Sequence, residues 1–178
     1  MQDQEKIENT FRYSSSQDEL FDAFREAIRR EVKNPETFKI LLANPTLSPD
    51  EIKMYTEKLI RELPHSAFDF NMWTASVFEN YSNDYEKLED AFNYYYSALF
   101  YKPTSPEPLL RLLNLYNYEI DLPSNGRIVN LIEDLAASVE NKSRVYYALA
   151  NHFRKTGNNR LEVKYLALAE KSAEREDV

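Results

Sequence analysis

Apolar residues recur along this chain at helical spacing, and prolines interrupt them. Ala91, Tyr95 and Ala98 stand at i, i+4 and i+7, one face of a helix. The two small residues admit another helix closely, and Tyr95 fills the space between them. Pro103 follows and stops the helix, because it lacks an N–H and disfavours helix in the residue before it. Pro106 and Pro108 suit a turn and the first turn of a new helix. There Leu109, Leu112, Leu113 and Tyr116 give i, i+3, i+4 and i+7.

Both patterns recur. The front frame occurs at Phe70, Trp73, Thr74 and Val77, at Leu109, Leu112, Leu113 and Tyr116, and at Tyr146, Leu149, Ala150 and Phe153. The back frame occurs at Ile52, Thr56, Leu59 and Pro64, then at Ala91, Tyr95, Ala98 and Pro103. Weaker back frames are Ile128, Ile132 and Leu135, with Glu140 at the proline position, and Glu162, Leu166 and Ala169. Each front frame opens six positions after the element that closes the preceding back frame: Phe70 after Pro64, Leu109 after Pro103, Tyr146 after Glu140.

These frames resemble the tetratricopeptide repeat, whose helical hairpin carries an aromatic, Leu-Gly and Tyr on its first helix and Ala, Phe and Pro on its second. The units here are longer than that family's, with the extra residues at 78–90 and 120–125, and Leu113 and Glu162 stand where small residues are usual. A related helical-hairpin repeat, or an antiparallel bundle with proline in its loops, fits the same periodicity. The resemblance implies an all-α fold: a right-handed α-α superhelix of about four hairpins with an N-terminal capping helix. It also implies that the first helices line a concave groove for an extended peptide or a partner helix. The groove-facing residues would be Asn71, Met72 and Ala75, then Leu110, Arg111 and Asn114, then Arg144, Tyr147 and Asn151. Asn supplies donor and acceptor together, and Arg forks onto a carboxylate. The family's two-lysine clamp for chaperone tails is not matched, since no Lys occupies those places.

Along the chain, residues 1–15 are polar with three consecutive serines, which predicts a mobile or loosely docked arm. Residues 16–178 form a single domain. Ser16 and Glu19 have capping-box spacing and open a helix to about 33, read as the cap of the stack. A short helix carries Phe38, Leu41 and Leu42, and Ser48, Pro49 and Glu51 open the next. The following helices are expected at 67–81, 84–102, 106–118, 126–140, 143–155 and 159–173. Ser82 or Asn83 would cap the second of these, and Gly157 is a left-handed C-cap candidate between the last two. Eight or nine helices and no strand are expected, with Trp73 and Tyr95 in the core.

Composition narrows the function. Only 2 Gly argue against phosphate loops and tight hairpins, and 10 Phe with 13 Tyr suit aromatic-filled helix pairs. A net charge of −8 opposes phosphate backbones and anionic lipid, so neither a nucleic-acid nor a membrane partner is expected. The absence of Cys removes disulfides and thiolate ligands and fits a reducing compartment. The first residues lack the apolar core of a signal peptide, and no apolar run approaches the ~18 residues of a membrane span. Cytoplasmic localisation is therefore the default.

The candidate chemistry is sparse. Glu62 and His65 have Glu-x-x-His spacing, but Pro64 breaks the helix such a metal pair needs. His152 reads as a packed or partly exposed histidine rather than a base. Glu86, Glu89 and Asp90 complement a helix start more simply than they do acid–base work. No Gly-x-Ser-x-Gly elbow exists. No catalytic residue, cofactor or metal is expected. The expected function is a protein-interaction adaptor, non-catalytic, whose partner is a peptide or helix carrying a carboxylate. The alternatives are a structural subunit that self-associates through its edges and a sensor domain attached to an enzyme.

Overall fold

In the computed structural model, residues 2–80 and 85–176 are described, and among them every regular element is helical. The ten α-helices are α1 (Gln2–Tyr13), α2 (Gln17–Arg29), α3 (Pro35–Leu42), α4 (Pro49–Glu62), α5 (Ala67–Glu79), α6 (Tyr85–Tyr101), α7 (Glu107–Asn114), α8 (Pro123–Leu135), α9 (Lys142–Lys155) and α10 (Asn159–Glu176), with a 3-10 turn at Pro64–Ser66. Among the described residues no helix is long and apolar enough to cross a membrane.

Helix starts follow local chemistry. Ser48 accepts from the Glu51 N–H while the Glu51 carboxylate accepts from the Ser48 N–H, a complete capping box, with Pro49 in the first turn. Asn34 accepts from Glu36 N–H before Pro35 in the same way. Ser16 caps α2 by accepting from Glu19 N–H, but the Glu19 carboxylate turns back to the Ser14 hydroxyl instead of closing the box. Gly157 adopts φ 75°, the left-handed conformation that a glycine takes without a Cβ clash, and α9 ends there. The cap expected from Ser82 or Asn83 lies outside the described residues.

Successive helices pair. In α5 and α6 the ammonium of Lys102, just past the end of α6, sits 4.3 Å from the ring centre of Phe68 near the start of α5, and Phe78 near the end of α5 stacks on Tyr94. In α9 and α10 Ser143 bonds Glu176 at one end, Arg154 bonds Glu162 at the other, and Tyr146 and Phe153 stack on Tyr165 between them. Both pairs are antiparallel over their length. The repeated frames supply the core: Ile52, Thr56, Leu59, Phe70, Thr74, Ala91, Tyr95, Ala98, Leu109, Leu112, Leu149 and Ala169 are all buried.

Bonds between one pair and the next recur at nearly constant separation. Asn44 Nδ2 donates to Phe11 O, 33 positions away, and Trp73 Nε1 to Lys39 O, 34 away. Arg144 reaches Glu107 over 37 positions, Arg127 reaches Glu89 over 38, and the Tyr165 hydroxyl donates to Glu133 over 32. First helices are thus tied to first helices and second helices to second helices.

Several expectations need correction. Ten α-helices stand among the described residues where eight or nine were expected, and the helix expected at 126–140 runs from Pro123 to Leu135, with Pro123 in its first turn. The arm expected over 1–15 is helix from Gln2 to Tyr13, anchored by buried Ile7 and Phe11. Its last carbonyls are satisfied by Asn44, whose Nδ2 donates to Phe11 O at 2.8 Å and Ser14 O at 3.0 Å. The helix expected to cap the stack alone, α2, therefore has a hairpin partner in α1. The helix expected over 106–118 stops at Asn114, because Asn125 holds the chain beyond it in a loop, donating to Asn117 O and Ile120 O and accepting from Asn117 N–H. Trp73 is half-buried rather than core, since its indole N–H reaches out of the hairpin to α3.

Candidate functional site

The nine groove residues named from the sequence divide into two sets. Asn71 is 2% exposed and its Nδ2 donates to Ala67 O at 2.8 Å, one turn back on its own helix. Ala75 is fully buried and Met72 half-buried against the core. These three do not present a wall on α5. The reason is that α5 is apolar on every side and packs against α3, α4 and α6, so none of its residues is exposed.

On α7 and α9 the outcome differs. Leu110 is half-buried, while Arg111 and Asn114 are exposed on α7, in line with Glu107 at i, i+4 and i+7. Arg144, Tyr147 and Asn151 are exposed on α9 at i, i+3 and i+7, and Tyr147 keeps 45% of its surface. The two helices are joined near their starts, where the Arg144 guanidinium donates to Glu107 Oε1 at 2.8 Å. Arg111 lies 3.9 Å from Glu79 on α5. Both arginines expected to await a partner's carboxylate are therefore already beside carboxylates of the chain itself. The sequence reading missed Glu79 and Glu107. The signal was present, since Glu107 stands one unit before Arg144 in the register of the frames.

Asn114 lines a pocket of about 420 Å³ with Glu79, Leu88, Tyr116 and Tyr118. Burial pushes the Glu79 carboxyl up from its ordinary value, and the Tyr95 hydroxyl and Arg111 pull it part of the way back. Tyr95 itself is fully buried, and its hydroxyl has no hydrogen-bond partner within bonding geometry. Tyr118 ties the pocket to α9, its hydroxyl 3.0 Å from His152 Nδ1, with the Lys155 ammonium 5.1 Å from the Tyr118 ring centre. His152 is buried among Tyr116, Tyr118 and Phe153. Burial lowers its pKa, against an opposing pull from Glu133. The site offers an amide, two phenols and a half-buried carboxyl around apolar walls, a set suited to main-chain amides.

The remaining candidates are accounted for locally. His65 sits in the 3-10 turn after Glu62, and both are exposed. Among the described residues no three His, Cys, Asp or Glu side chains gather as metal ligands. Glu89 pairs with Arg127 at 2.6 Å and Asp90 with Lys53 at 2.8 Å, so two members of the acidic cluster bridge neighbouring hairpins. Of the three consecutive tyrosines, Tyr95 is core, Tyr94 packs on Phe78, and Tyr96 lies between buried Phe92 and exposed Phe100. No family model, no curated protein and no solved structure matches this chain.

Proposed function

We propose that this chain is a non-catalytic interaction scaffold: a degenerate tetratricopeptide-like solenoid whose hairpins stack into a right-handed superhelix. Unit-to-unit bonds recurring every 32 to 38 positions support the repeat reading. Its ligand is a peptide or helix of another protein, bound along the α7–α9 wall. The observation that carries this is the exposed line of Arg111, Asn114, Arg144, Tyr147 and Asn151 on two adjoining first helices. Asn pairs with main-chain amides, Tyr147 gives a large contact at low entropic cost, and a partner's carboxylate exchanges with Glu107 or Glu79 at the arginines. On this reading it works in the cytoplasm, a reducing compartment with which a chain without Cys is compatible.

The test is calorimetric titration of a partner recovered by affinity capture, against the parent, Tyr147→Ala and Arg111→Glu. Tyr147→Ala is expected to cost about 2 kcal/mol or more, as an aromatic anchor does. Arg111, half-exposed at the rim, is expected to cost less, about 1 kcal/mol. Equal affinities for all three proteins would remove the wall as the site. Self-association is the second reading, favoured by Tyr96 at 40% and Phe100 at 71% exposure on α6. Light scattering after size exclusion separates the two, since the scaffold reading expects a monomer without partner.

A further inference from the structure

A second surface lies in the N-terminal part of the chain, on α2 and α4. Between α2 and α4 runs a cleft of about 930 Å³, floored by Phe24 and Ile28. Arg25, Lys58 and Arg61 stand at its edges. Among the described residues none of the three has a carboxylate within ion-pair reach. Arg61 Nε reaches only the Glu57 carbonyl, at 3.4 Å. Arg25 and Lys58 both rest on the Phe21 ring, 5.9 and 4.9 Å from its centre. Of the three carboxylates that line the cleft, Glu26 is occupied twice, by Arg29 and Arg30. Those two bonds hold its pKa down to about 2, so it stays ionised and engaged with them.

In a chain of net charge −8 this is a concentration of uncommitted cations over an apolar floor. We infer that the α2–α4 cleft docks an acidic, amphipathic segment of a partner protein, its carboxylates on Arg25, Lys58 and Arg61 and its apolar side chains on Phe24 and Ile28. Three features favour this occupant over a nucleic acid. Asp22 and Glu62 also line the cleft, and they repel a continuous polyanion but fit between spaced carboxylates. The floor is apolar, which a phosphate backbone does not use. The net charge of the molecule disfavours a long polyanion that runs past the cleft within a screening length of the surface. This surface is separate from the α7–α9 wall, and either can fail without the other.

The probe is a fluorescein-labelled peptide of about 15 residues, about four helical turns, with Glu and Leu at helical spacing. Fluorescence anisotropy is expected to show saturable binding to the full chain, weakened by added salt. Arg25→Glu combined with Lys58→Glu is expected to raise Kd about tenfold or more. Arg127→Glu, a charge reversal on α8, is expected to leave it unchanged. The matched Lys–Leu peptide is expected not to bind. Absence of saturable binding, equal affinity in the double variant, or equally tight binding of a double-stranded oligonucleotide overturns the inference. Circular dichroism checks folding, and should the double variant unfold, Arg61→Gln carries the same comparison.

Discussion

His152 is where proton binding and folding meet most directly. Its imidazole is walled in by Tyr116, Tyr118 and Phe153, and burial lowers its pKa below the ordinary 6.5. The unfolded chain therefore binds the proton more readily than the folded one. By linkage, the stabilisation is present above pH 6.5 and is lost as pH falls from there through the folded pKa. Urea midpoints compared at about pH 7.5 and about pH 5.5 should fall more for the parent than for His152→Gln, which does not titrate. Parallel pH dependences would show that the proton costs nothing at this position. Glu79, whose pKa is raised, works in the opposite sense: its contribution is lost as pH rises above its ordinary 4.5. The His152→Gln comparison keeps the two apart.

At the scale of elements, α5 is the member with no exposed residue. It contacts α3, α4 and α6, bonds Lys39 through Trp73, and shares a hydroxyl pair with α4 at Thr56 and Thr74, 2.8 Å apart. Its amides are expected to exchange most slowly, and mass-spectrometric hydrogen exchange over 67–79 should lag well behind 123–135 of α8. Equal rates would mean that α5 opens no less easily than a peripheral helix. The frames around α5 were legible because apolar residues at i, i+4 and i+7 end at proline. Helix α1 was not legible. Ile7 and Phe11 are its only buried apolar residues, and the rest of its anchoring comes from side chains 29 and 33 positions ahead, Thr37 on Glu8 and Asn44 on the Phe11 carbonyl. The loop after α7 was misread for the same reason, since Asn125 acts on Asn117 and Ile120 from outside the local window. Of the site, the exposure of α7 and α9 followed from register, whereas the burial of Asn71 and Ala75 did not. That burial depends on how many helices surround α5, which periodicity along one helix does not encode.

Across the whole molecule, the bonds named above tie each hairpin to the next, and the widest-reaching spans 38 positions. Nothing among them staples the first hairpin to the last. If the hairpins stack as the proposed solenoid, the chain has the mechanics of a row of hinged links rather than of a welded block. Held by its ends in an optical trap, it should lengthen in successive steps as hairpins detach. Each step releases about 35 residues, or roughly 120 Å of extended chain. A single rip of the full contour length would instead show that the hairpins yield together. With stepwise yielding, a load on either end would open the terminal hairpin first and leave α5 and its neighbours folded, so tension alone would select which surfaces a partner finds intact.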